Sequence, residues 1–266
     1  MTHARFVTAS LAAALLLAPA RAEAYRPFDG TDADVAEVKV LELELGPVHY
    51  YRQGHQNELI APAVVLNLGI FERTELVVEA NDYVALGPLE PGVARVSLLG
   101  DDVRLKHVFR EGVLQNRSGI SVAAEGAVLT PEIHGGDGFG GSLDVIASDR
   151  WSWGTIHWNE LFSYTREHHA DLFNGVIVEG PHDWVVRPVT ELFYDKDFAG
   201  DATASALVGA IWSVDESLAL DVGLRGARIG DENAFEARLG LTWSVALGEP
   251  AGEPAPPEGS LPLRRE

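Results

Sequence analysis

The sequence contains no cysteine, and its single methionine is Met1. Without thiols there is no disulfide framework, no thiol nucleophile and no cysteine-bound zinc or iron. Cationic residues are also scarce: 20 Lys and Arg stand against 40 Asp and Glu, giving a formal net charge of −20. A phosphate backbone has to be neutralised by cationic side chains, so nucleic acid is excluded as a partner. Beyond the amino terminus no apolar run reaches the roughly 18 residues of a membrane-spanning helix. Helical periodicity likewise wins nowhere over a comparable length. What the 266 residues do have is apolar content, 46%, spread along the chain, with six tryptophans between 151 and 243. Such a chain folds rather than staying disordered.

Residues 1–24 read as a secretory signal peptide: basic Arg5, the apolar run Leu11–Ala18, and small residues at Ala20, Ala22 and Ala24. The run is about half of what a spanning helix needs. An exported chain inserted in a membrane must then cross it with strands.

The body alternates with a period of two, the signature of strands whose successive side chains point to opposite faces. In the last segment Phe235, Ala237, Leu239, Leu241, Trp243 and Val245 share one face, and Glu236, Arg238, Thr242 and Ser244 the other. Twelve runs are expected: 35–50, 56–71, 74–86, 95–109, 118–130, 140–149, 152–165, 170–179, 184–195, 203–213, 217–228 and 234–247. Compact connections at 72–73, 149–150, 180–183 and 214–216, with a longer one at 110–117 between runs four and five, interleave with mostly larger ones at 87–94, 131–139, 166–169, 196–202 and 229–233. Such segregation, with an even strand number, predicts an all-β fold: a transmembrane antiparallel up-and-down barrel of about 12 strands. Closure follows because lipid offers backbone groups no hydrogen-bond partner. The apolar set then faces lipid and the charged set a lumen. Tyr50, Tyr51, Tyr83, Trp151, Trp153, Tyr164, Trp184, Tyr194 and Trp212 are expected in aromatic girdles at the two interfaces. The organisation is a signal peptide (1–24), a barrel with a short lead-in (25–247) and a proline-rich disordered tail (248–266). The lead-in, 25–34, is either periplasmic or tucked into the barrel mouth.

Catalytic constellations are absent. There is no G-x-S-x-G elbow, and nothing brings serine, histidine and aspartate together as a triad. His168 and His169 lie in no metal motif. Asp29, Asp32 and Asp34 imitate a calcium loop without its glycine at position six or glutamate at position twelve. Gly135–Gly138 is one glycine-rich turn. No enzyme activity, cofactor or metal is expected.

Several stretches resemble an outer-membrane barrel family, the MetA-pathway of phenol degradation group. They are Arg26-Pro27-Phe28 followed by acidic residues, Leu41–Gly46, Gly69–Leu76, Gly100-Asp101-Asp102 with Lys106, Ile156–Asn159 and Arg187–Leu192. Their order along the chain is similar to the family's. The chain departs from it in placing Trp243 inside the last run, with a proline-rich tail after it. The resemblance implies an outer-membrane channel for small aromatic or other apolar compounds.

Together these readings predict a passive outer-membrane conduit whose partners are membrane lipid and a small-molecule solute. Its lumen is expected to be lined by Glu42, Glu44, Glu79, Asp102, Lys106, Glu125, Asp144, Asn159, Arg187, Glu191, Asp221, Arg225, Glu236 and Arg238. Nine of these are acidic, so a wet lumen would favour cations. The residues leave open a soluble secreted or periplasmic β-sandwich or lipocalin-like binder, with Phe235, Leu239 and Trp243 in its core. A structural barrel without transport and a barrel enzyme with a site near its mouth are also left open.

Overall fold

The computed structural model describes residues 17–19, 26–89 and 91–248. Most of the expected signal peptide, and the expected tail after Gly248, lie outside them. Within the signal segment, β1 (Leu17–Pro19) pairs antiparallel with Val245–Leu247.

Twelve further strands form the body. They are β2 (Val40–Gln53), β3 (Gln56–Phe71), β4 (Thr74–Ala85), β5 (Val96–Arg110), β6 (Ser121–Leu129) and β7 (Gly140–Trp151). β8 (Gly154–Tyr164), β9 (Ala170–Glu179), β10 (Val186–Asp197), β11 (Ala202–Ser213), β12 (Leu218–Ile229) and β13 (Glu232–Leu247) complete the set. Each pairs antiparallel with its sequence neighbours, and β13 returns to β2 (Val245 opposite Leu41, Leu239 opposite Val48). The sheet is a closed transmembrane barrel. Closure matters because it leaves no strand edge whose N–H and C=O groups would lack a partner, which hydrocarbon cannot provide. Among the described residues no helix is long and apolar enough to cross a membrane.

The pleat sorts the side chains as the alternation demands. Phe235, Leu239 and Trp243 are 45%, 49% and 41% exposed on the outer face, while Glu236, Arg238, Thr242 and Ser244 are buried. A sandwich core on the Phe235/Leu239/Trp243 face is thereby ruled out. Trp151, Trp153, Tyr164, Trp184, Tyr194 and Trp212 are exposed near strand ends. Tyr83 is a correction to the girdle: it lines the interior cavity. Tyr51 is the ladder partner of the inward Glu236 and also departs from it.

The run expected to start at 35 starts as a strand only at Val40. The preceding residues instead form a lead-in, 26–39, which turns into the barrel. Its rim hinge depends on Gly69, whose missing side chain lets the chain pass: a Cβ there would lie 2.0 Å from the carbonyl oxygen of Glu37. The N–H of Lys39 donates to the Gly69 carbonyl at 2.8 Å. Connection lengths also differ from expectation. The end carrying both chain ends of the barrel has 72–73, 111–120, 152–153, 180–185 and 214–217; the opposite end has 54–55, 86–95, 130–139, 165–169, 198–201 and 230–231. The long 111–120 loop falls where a longer connection is expected; the departures are at the opposite end, where 198–201 and 230–231 are tight because strand extensions absorbed several residues read as loop. In the 214–217 turn, the backbone N–H and hydroxyl of Ser217 donate to Asp215 at 2.8 and 2.9 Å. These bonds hold the Asp215 carboxyl below its ordinary range.

The lumen has two levels. Toward the end with the chain ends it is a packed apolar base: Ala33 of the lead-in meets Val108, Leu114, Ala123 and Ile146, while Phe28 packs on Val189, Ile211 and Ala219. Leu114 belongs to a 3-10 helix, Val113–Gln115, folded inward and fastened by Gln115 Nε2 donating to the Ala33 carbonyl at 2.8 Å. Above this base lies a cavity.

Candidate functional site

The strand pleat sends a second set of side chains, the charged ones, to the same interior. All fourteen residues expected there are buried or half-buried: Glu79, Arg187 and Arg225 are half-buried and the other eleven buried. Their partners divide them into three groups.

The first group holds the lead-in. Glu191 accepts the backbone N–H groups of Asp29 and Gly30 at 2.9 and 2.8 Å. Asn159 makes a pair of hydrogen bonds with the backbone of one residue, accepting from Thr31 N–H and donating to Thr31 C=O, both at 2.8 Å. Lys106 reaches Thr31 Oγ1 at 3.2 Å, Asp32 at 3.5 Å and Glu75 at 3.6 Å. Arg238 donates to the Pro27 carbonyl at 2.7 Å and pairs with Asp29 at 3.0 Å and Glu236 at 2.6 Å. Arg225 pairs with Glu236 and, at 3.4 Å, with Asp29. Arg26 of the lead-in approaches Asp221 at 3.7 Å. A segment without ladder partners would otherwise leave its polar backbone buried and unpaired, at about 1–3 kcal/mol per group; here the wall supplies the missing partners.

The second group faces the cavity beside the lead-in. Arg104 is gripped by three carboxylates: Asp102 in a fork (2.7 and 2.8 Å), Glu79, and Glu125 at 3.5 Å. Glu44 accepts from Asn67 at 2.8 Å. Asp144 Oδ1 is buried without a hydrogen-bond partner. The third group sits away from the cavity: Glu42 accepts from Ser244 at 2.8 Å, and Arg187 lies 3.6 Å from Glu179.

The cavity holds about 370 Å³. Carboxylates dominate its wall: Asp29, Glu44, Glu75, Glu79, Asp102, Glu125 and Asp144, against Arg26, Arg104, Lys106 and Arg238. Tyr83, Leu129, Leu161 and Phe173 add apolar surface. The fourteen omit Arg104 and Glu75, although the alternation places both on the polar face. They also omit Asp29, which belongs to no strand. Asp29, Asp32 and Asp34 form no calcium loop: Asp29 pairs with the two arginines, Asp32 with Lys106, and Asp34 accepts from Gln115 at 2.9 Å. Among the described residues no group of three or more His, Cys, Asp or Glu is arranged to hold a metal ion.

No family model and no curated protein sequence matches the chain. Its fold is similar to that of the COG4313 outer membrane channel from Pseudomonas putida F1, at 9% identity and TM-score 0.58, covering 82% of this chain and 99% of that one. A KdgM porin aligns at 11% identity and TM-score 0.49, over 76% and 98% of the two chains. The CymD monoaromatic hydrocarbon channel aligns at 8% identity and TM-score 0.45, over 80% and 90%.

Proposed function

We propose that the chain is an outer-membrane channel for passive uptake of small solutes, with the lead-in seated in the lumen as its plug. The observation that carries this reading is the charged cavity of about 370 Å³ between the lead-in and the wall of a closed barrel with an apolar exterior. A barrel that only braced the membrane would gain nothing from keeping costly charges around empty space. Twelve strands enclose less room than the 16–18 of open porins, so a movable plug reconciles a narrow barrel with passage. On this reading the fourteen inward residues divide the work: the first group sets the plug, and the cavity group meets the solute. Membership of the MetA-pathway of phenol degradation group belongs to the same proposal, supported by the order of the matching stretches. Small aromatic or other apolar solutes, which that resemblance implies, would meet Tyr83, Leu129, Leu161 and Phe173.

The test is planar-bilayer conductance of the full chain beside a variant lacking residues 26–38, each checked for heat-modifiable gel mobility. The full chain should conduct in rare, brief events. The folded deletion variant should stay open and prefer cations, following the acidic excess of its wall. A folded deletion variant that passes no current, or prefers anions, overturns the proposal.

A further inference from the structure

Asp144 is 6% exposed, lines the cavity, and its Oδ1 has no hydrogen-bond partner. Its ladder partner on β6 is Glu125, a second carboxylate. Like charges directly opposite each other in a ladder destabilise it, and a buried acceptor left unpaired costs more still. The nearby cations Arg104 and Lys106 reach Asp144 through their charge, while their short contacts go to other carboxylates. Arg104 is forked on Asp102 and touches Glu125 only at 3.5 Å, and Lys106 is turned to Asp32 and Glu75. On the other side of Asp144 the wall becomes apolar. Leu161 on β8 is its direct ladder partner, Phe173 on β9 is the partner of Leu161, and both line the cavity.

We propose that the Glu125–Asp144 pair seats the charged end of a small organic ammonium ion whose apolar body lies over Leu161 and Phe173; this rests on the cavity being the solute's path. An ammonium brings up to three N–H donors to a pair of acceptors that have too few. Neighbouring strands are about 4.8 Å apart, which places Leu161 roughly one strand and Phe173 roughly two from Asp144. A ring carried two carbons from the nitrogen spans that distance and meets the Phe173 face. A hydrated metal ion would gain nothing from the apolar half of the row. The cavity volume lies within the range of small-molecule sites, about 300–1,000 Å³.

The experiment is calorimetric titration of the detergent-solubilised full chain with 2-phenylethylammonium, its neutral counterpart 2-phenylethanol, phenylacetate and methylammonium. The aryl ammonium should bind at least roughly tenfold tighter than the alcohol, as a charge-assisted hydrogen bond allows, and tighter than methylammonium; phenylacetate should not bind. Asp144→Asn and Glu125→Gln should each remove that preference while leaving the alcohol's affinity and the heat-modifiable mobility unchanged. Equal affinity for ammonium and alcohol, or a preference that survives both substitutions together, overturns the proposal. Methylammonium binding as tightly as the aryl ion overturns the apolar half of the seat. Bilayer recordings separate the two readings: ammonium binding by a plug-deleted barrel that passes no current sinks the channel and keeps the seat, whereas current without ammonium preference does the reverse.

Discussion

The pair of hydrogen bonds between Asn159 and the Thr31 backbone is the place where the seating of the lead-in is most directly measurable. Asn159→Leu keeps the side-chain volume but removes both 2.8 Å hydrogen bonds, leaving Thr31 N–H and C=O unpaired inside the barrel. At about 1 kcal/mol for each bond, the seated state loses about 2 kcal/mol relative to the released one. Every 1.4 kcal/mol is tenfold, so the released population rises about thirtyfold. The chain has no cysteine, so Ala33→Cys installs a unique thiol at a residue that is 0% exposed while seated. Maleimide labelling of that thiol in the folded barrel then reports the released fraction. The expected result is a rise of about thirtyfold in labelling rate on adding Asn159→Leu, with gel mobility unchanged. A rate that moves by less than twofold would refute the argument that wall side chains hold this segment.

Other consequences concern the charged wall and the membrane face. Arg104→Gln leaves Glu79, Asp102 and Glu125 without their shared guanidinium; Arg104 and Glu79 are only half-buried, so the loss is about 1–3 kcal/mol, to be read from the urea midpoint of unfolding in detergent. Leu239, midway along β13 and facing outward, should tolerate arginine poorly: Leu239→Arg is expected to cost about 2–4 kcal/mol in folding titrations into vesicles, and Phe235→Arg, nearer the strand end, about 1 kcal/mol. Gly69→Ala would press a methyl group into the Glu37 carbonyl. Overpacking of this kind costs about 1–3 kcal/mol, and proteolysis within residues 26–38 of the folded barrel should accelerate.

The strands were legible because a wall with lipid on one side and charge on the other leaves a period of two, broken only locally at register shifts such as Ile60/Ala63 and Glu79/Asn81; the Phe235–Val245 alternation is the plainest case. The same rule put Glu125, Asp144 and Arg238 inside without any knowledge of their neighbours. It misread 35–39, since Val35 and Ala36 look like strand residues whether they face lipid or turn inside, where Val35 packs on Leu114 and its surroundings and Ala36 N–H donates to Glu75. It could not pair Arg238 with Asp29, which is 209 residues away. Closure brings them together, and no local pattern encodes which inward charge a returning segment will meet. Arg104 stood on the polar face of the alternation, but its partners could not be read there: its three carboxylates come from β4, β5 and β6, and their convergence is a property of register rather than of composition. The loops were least legible, because strand ends extend past the membrane by amounts that turn residues do not announce.

The division of the interior into a filled base and a hollow upper level separates two kinds of selection. The apolar side chains of Ala33, Leu114 and Ile146 answer to steric fit, like the heart of a water-soluble domain, and tolerate little exchange. Around the hollow the weight is uneven: Arg104, Lys106 and Arg238 tie strands and lead-in together, whereas Leu129, Leu161 and Phe173 offer only apolar surface. Descendants of this chain could therefore exchange one cargo for another by substitutions in a handful of upper positions, with the architecture beneath them left untouched.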